Sequence, residues 1–164
     1  MKQIKNLRIL VLGGSSDIAI NIINHYLKNG FIVDAHFNSN SKHLEKLKKK
    51  NKNLNLIKLN FSKLNDNNYI KIINKKFSFN YSAYINLIGY IDNKHFDEIN
   101  IKDLYNSLHI NFVIPFFIMK FVIPKMLQQK FGRIINISSI GVKFGGSKQN
   151  FNYPLSKYNL EFIP

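Results

Sequence analysis

The chain has no cysteine. Disulfides, thiolate catalysis and cysteine-ligated zinc are therefore excluded. Arginine is nearly absent too. Of 24 basic residues only Arg8 and Arg133 are arginines, and acidic residues number 9, so the formal net charge over 164 residues is +15. That charge invites a nucleic-acid reading, but such sites favour the forked, stacking guanidinium over the ammonium. Here 22 lysines rise together with 24 asparagines and 25 isoleucines, a drift that an AT-rich coding sequence imposes. Nucleic acid is not an expected partner. The five histidines, His25, His36, His43, His95 and His109, lie far apart with no His-x-x-x-His pair. No metal site is expected.

Long apolar runs are also missing. Ile110 to Met126 has an unbroken apolar core of only eight residues, Phe112 to Met119, with Lys120, Lys125, Pro115 and Pro124 interrupting the stretch. A membrane span needs about 20 apolar residues, so this segment reads as a helix buried on most sides. The polar start, Met1 to Arg8, precedes an apolar run too short for a secretory signal. A cytoplasmic protein without membrane contact is the expectation.

What is present is 45% hydrophobic residues, enough for a packed core. Short apolar runs at 8–12, 31–37, 54–59, 81–88 and 133–137 read as strands. Between them, 17–29 (ended by Gly30), 41–52 and 66–77 read as helices, and 97–130 as two helices broken near Asn111 or Pro115. Residues 144–152 read as a polar, glycine-rich loop, with a last helix starting near Pro154. Strand–helix alternation with fully apolar strands implies one α/β domain over 1–164. Its parallel sheet is doubly wound, with helices on both faces. Ligands in such sheets sit at the C-terminal strand ends, near the switch in strand order.

Three features fall there. Gly13-Gly14-Ser15-Ser16-Asp17-Ile18 follows the first strand and opens a helix. Glycines let the backbone approach a phosphate, and the free N–H groups of a helix start favour an anion. The same residues would also serve as a plain tight turn, with Ser16 or Asp17 as the cap. No Gly-Lys-Ser/Thr follows, so this is not a P-loop. Asn86 to Gly89 ends strand four, and Ser138-Ser139 follows strand five. Beyond them, Tyr153-Pro154-Leu155-Ser156-Lys157 puts Tyr153 and Lys157 one turn apart on a helix face. An ammonium beside a phenol lowers its pKa from about 10 and makes it a general acid or base. Alone, the pair is common helical spacing.

Together and in this order, these motifs resemble the short-chain dehydrogenase/reductase family, from Arg8 to Glu161. The resemblance implies a Rossmann-like fold and an NAD(P)-dependent oxidoreductase. Such an enzyme moves hydride between nicotinamide and a carbonyl or hydroxyl substrate, with a 3-oxoacyl thioester as the default. It implies that Tyr153 exchanges a proton with the substrate oxygen and Ser139 hydrogen-bonds that oxygen. Lys157 lowers the Tyr153 pKa and holds the ribose, and Asn111 positions a water. For the cofactor it implies Gly13, Gly14, Ser15, Ser16, Asp17 and Ile18 at the diphosphate, with Asp17 and Ala19 standing where further glycines usually fall. It adds Asn60 and Phe61 at the adenine, and Asn86 and Gly89 along the adenosine side. Phe37, Asn38 and Ser39 end strand two where NAD enzymes carry a carboxylate, and Asp34 lies three residues too early. With Lys42 nearby, NADP(H) is expected over NAD(H). The chain stops at Phe162-Ile163-Pro164, inside the helix that bears Tyr153. Family members continue with two more strands and a substrate-binding region, and they associate through that helix. An incomplete domain is therefore expected, and a truncated nucleotide-binding remnant without turnover stays open as the alternative.

Overall fold

A computed structural model describes residues 7–65 and 68–163. Five strands form one sheet: β1 (Arg8–Leu12), β2 (Ile32–Phe37), β3 (Leu54–Lys58), β4 (Ala83–Asn86) and β5 (Arg133–Asn136). All pair in parallel, in the order β3-β2-β1-β4-β5. The order reverses between β1 and β4, which is the switch point of a Rossmann-type fold. Seven helices follow in chain order: α1 (Asp17–Lys28), α2 (Lys42–Lys50), α3 (Tyr69–Lys76), α4 (Ile101–Leu108), α5 (Ile114–Gln128), α6 (Ile140–Phe144) and α7 (Asn152–Tyr158).

The pleat of β1 divides the core. Ile9 and Val11 face one side, with Ala19, Ile23 and Leu27 of α1 and Leu44 of α2. Leu10 and Leu12 face the other, with Ile73 of α3 and Ile114, Ile118, Met119, Val122 and Met126 of α5. This is the period-2 alternation of a strand sandwiched between two helical layers. β2 is clamped from below by its own carboxylate. Asp34, buried, takes both Arg8 bonds at 3.0 and 3.1 Å, Asn55 Nδ2 at 2.8 Å and the Tyr81 hydroxyl at 2.8 Å. Its oxygens tie β2 to β1, to the edge strand β3 and to the run into β4, which explains a charge inside an apolar run.

Four sequence expectations change. The segment 97–130 is continuous through 101–128: a π-helical turn, His109–Val113, joins α4 to α5 around Asn111, and Pro115 sits in the first turn of α5. Nor is α5 buried on most sides. One stripe packs on the sheet while Phe112, Phe116 and Lys120 stay at least partly open. By length and composition 101–128 could cross a membrane, but that stripe is sheet-facing. Cover is not complete on both faces, since Ile134 and Ile135 of the edge strand β5 are exposed. Finally, α6 occupies residues expected to lead into a loop, and α7 begins at Asn152. Of the helix expected over 66–77, Asp66 and Asn67 lie outside the described residues.

Candidate active site

The glycine turn is built by contacts beneath it. Gly13 has φ +73°, and a Cβ there would lie 2.8 Å from the Leu87 carbonyl carbon. Only glycine fits both the angle and the approach of β4. Ser16 caps α1, its Oγ accepting the Ala19 N–H at 3.2 Å. The two glycine N–H groups are spent inside the protein. Gly14 N–H goes to the His36 carbonyl at 2.7 Å, and Gly13 N–H to His36 Nδ1 at 3.3 Å. An anion would therefore be met by the Ser15 amide and the first-turn N–H groups of α1, those of Asp17 and Ile18, which a helix leaves open.

Beside the turn lies a cleft of ≈ 370 Å³. Gly13, Ser15 and Ser16 form one wall. His36, Asn38, Leu59, Asn60, Phe61 and Ser62 form another, and Leu87, Ile88, Gly89, Tyr90 and Ile110 close it. Asn60 Oδ1 accepts Ser62 N–H at 2.9 Å and shapes this second wall. Asn86 does not line the cleft. It is buried, its Oδ1 accepting Ile88 N–H at 3.1 Å and its Nδ2 reaching Asn136 at 3.3 Å, so it bonds β4 to β5. Gly14, Asp17, Ile18 and Ser39 also stand off the cleft walls. Ser39 opens a neighbouring hollow with Lys42, Lys46 and Lys49.

At the Gly89 end stands Tyr153. A methyl group placed on Gly89 would lie 3.5 Å from the Tyr153 hydroxyl. Burial raises the Tyr153 pKa above its ordinary value. That corrects the expectation that Lys157 lowers it. The Lys157 ammonium is 5.9 Å from the ring centroid and donates to the Ile137 carbonyl at 2.7 Å. Lys157 is itself buried, and desolvation lowers its pKa to about 8. Near neutral pH Tyr153 is a protonated phenol, the form that donates a proton.

Asn111 holds protein groups with its side chain. Its buried side chain takes Tyr90 N–H at 2.7 Å and donates to the Tyr90 carbonyl at 2.9 Å and to Ser156 Oγ at 2.8 Å. Ser156 Oγ in turn donates to the Tyr153 carbonyl at 2.7 Å, and Ser107 Oγ to that of Asn152 at 3.1 Å. This buried network ties the start of α7 to the π turn and to the loop after β4. Ser139 is not drawn into it. Its Oγ accepts Gly141 N–H at 3.2 Å as the cap of α6. No hydrogen bond joins Ser139 to Tyr153 among the described residues. It lies instead in an open hollow of ≈ 620 Å³ with Ser138, Tyr158 and Glu161.

A family model described as short chain dehydrogenase matches residues 7–161. The chain belongs to that family. Among its curated relatives, the 3-oxoacyl-(acyl-carrier-protein) reductase FabG of Buchnera aphidicola is 28% identical over 156 residues, which is 93% of this chain and 53% of that protein. The corresponding reductase of Rickettsia typhi is 25% identical over 92% of this chain and 51% of its own length. The chain thus spans about half the length of the curated relatives it matches. Among solved structures, a 4-hydroxyisoleucine dehydrogenase complexed with NADH superposes with a TM-score of 0.80 at 21% identity, over 94% of this chain and 63% of that one.

In this short-chain dehydrogenase chain, the structure gathers Gly13, Ser15, Ser16, Asn38, Asn60, Phe61 and Gly89 on one cleft, with Tyr153 at its end. Sequence reasoning missed His36, Tyr90, Ser107 and Ser156. A lone histidine at a strand end and serines inside helices carry no motif. Only the apolar context of His36 signals a buried, hydrogen-bonded ring. His109, in the π turn, makes a hydrogen-bond contact across the fold, its Nε2 3.2 Å from the Phe61 carbonyl oxygen.

Proposed function

We propose that this chain is the cofactor-binding and proton-transfer part of an NAD(P)-dependent oxidoreductase of the cytoplasm. It reduces a carbonyl on a small substrate, by default a 3-oxoacyl thioester, as in its curated relatives. One observation carries the reading: the cleft that starts at the glycine turn ends at Gly89, beside the Tyr153 hydroxyl. The turn fits a dinucleotide. The Gly13 cradle excludes a side chain, and open amides follow it at a helix start. Ser15, Ser16, Asn38, Asn60 and Phe61 would hold the cofactor, which when bound supplies hydride. Tyr153 gives its hydroxyl proton to the substrate oxygen, and Ser139 is the candidate for a second donor to that oxygen. Lys157 holds the backbone after β5, with its ammonium 5.9 Å from the Tyr153 ring centroid. NADP(H) is favoured over NAD(H). No carboxylate ends β2, and in the hollow beside Ser39 three lysines, Lys42, Lys46 and Lys49, outnumber one carboxylate, Glu45.

The test follows NADPH oxidation with an acetoacetyl thioester. Tyr153→Phe should lower turnover by at least about a thousandfold, consistent with loss of a general acid, with nucleotide binding kept. Undiminished turnover in that variant would reject Tyr153 as the proton donor. The commitment of Ser139 Oγ to capping α6 favours a second reading, a nucleotide-binding remnant. That reading expects binding without turnover in the unmodified chain.

A further inference from the structure

His36 lies at the end of β2, buried at 2% exposure, where the ends of three strands meet. Its carbonyl takes Gly14 N–H at 2.7 Å. Its ring does two further things. Nδ1 lies 3.3 Å from Gly13 N, and Nε2 lies 2.8 Å from the Leu59 carbonyl oxygen. An amide N–H can only donate and a carbonyl can only accept, so the two contacts fix one neutral tautomer, with the proton on Nε2. The ring also stacks on Phe61, at 4.3 Å between centroids and 16° between planes. Both rings line the cleft. Among the described residues no carboxylate bonds to this ring, and burial lowers its pKa to about 4, so it stays neutral at working pH.

We infer that His36 is a positioning residue of the dinucleotide cleft: it holds the glycine turn from β2, decides which amides remain for the diphosphate, and braces the aromatic wall at Phe61. The inference rests on the dinucleotide reading and deepens it. With both glycine N–H groups drawn down onto His36, the turn presents its amides from Ser15 onward. Removing the Nδ1 acceptor frees Gly13 N–H and loosens the turn that the ligand needs fixed. Asparagine at this position can replace Nδ1 as an acceptor but cannot reach Leu59. Glutamine has the opposite reach, and leucine fills space while supplying neither bond.

The test titrates the unmodified chain and His36→Asn, His36→Gln and His36→Leu with NADPH. Nitrogen-15 spectra of the imidazole in the unmodified chain accompany the titrations. His36→Leu and His36→Gln should bind about tenfold more weakly, the equivalent of one hydrogen bond. His36→Asn should stay within about threefold of the unmodified chain. The spectra should show proton on Nε2, unchanged from pH 8 to pH 5. Unmodified affinity in His36→Leu, or equal losses in all three variants that track their melting temperatures, overturns the positioning role. So does a ring that carries its proton on Nδ1 or titrates near the ordinary value. If the unmodified chain binds no nucleotide, the dinucleotide reading fails with its consequence here. The spectra then still decide whether the ring is locked under the turn.

Discussion

Burial pushes three side chains of this site toward their neutral forms: His36 down to about 4, Lys157 down to about 8, and Tyr153 up. For His36 the sign is plain. The unfolded chain takes up its proton near 6.5 and the folded chain only near 4. Stability is therefore fully present above pH 6.5 and is lost as pH falls toward 4, by ~3 kcal/mol in all. His36→Gln should flatten that decline, read from urea unfolding at several pH values. An equal decline in the variant would mean that other groups carry it. For Tyr153 the outcome sharpens the expected chemistry. A helical Tyr-x-x-x-Lys shows that the two residues share a face, but not where the ammonium points. Here it points to Ile137, and desolvation decides the phenol. His36 was invisible for a related reason. Its meaning lies in Gly13 and Leu59, 23 residues away on either side.

The joined helices α4 and α5 show what an interruption can do. Asn111 sits in the π turn, a rare interruption that often marks a functional site. Its side chain satisfies both backbone groups of Tyr90 and reaches Ser156, so the turn sets the loop after Gly89 and the start of α7 together. Asn111→Leu would strand these buried groups, at about 1–3 kcal/mol for each one left unpaired. A loss of about 3 kcal/mol in chemical unfolding is expected, with weakened nucleotide binding. A variant as stable as the parent would remove Asn111 from the frame of the site. The strands were legible because each is a short apolar run stopped by glycine or polar residues. The π turn was legible only as a break near Asn111, because His109 to Val113 reads as helix from both sides. Pro115, the conspicuous breaker, stands just after the π turn inside a continuous helix and does not end it. Short α6 was hidden because its cap, Ser139, was read for chemistry rather than for structure.

On the scale of the molecule, five parallel strands in the order β3-β2-β1-β4-β5 bring the ends of β1, β2, β3 and β4 to one cleft. This placement follows from right-handed crossovers and strand-order reversal, which is why Gly13, Ser15, Ser16, Asn38, Asn60, Phe61 and Gly89, now walls of one cleft, could be picked out from their order along the chain. Ser139 and Tyr153 depend on the loops past β5, where local capping sets positions that order alone does not. The net charge of +15 is spread along lysines, three of which, Lys42, Lys46 and Lys49, line the hollow beside Ser39 together with Glu45. We expect this cleft to hold a nicotinamide dinucleotide, and calorimetric titration of the chain with NADPH and then NADH decides it. Saturable one-site binding, tighter for NADPH, follows from that expectation. Saturation with neither nucleotide would contradict it, and tighter binding of NADH would contradict the part assigned to the end of β2.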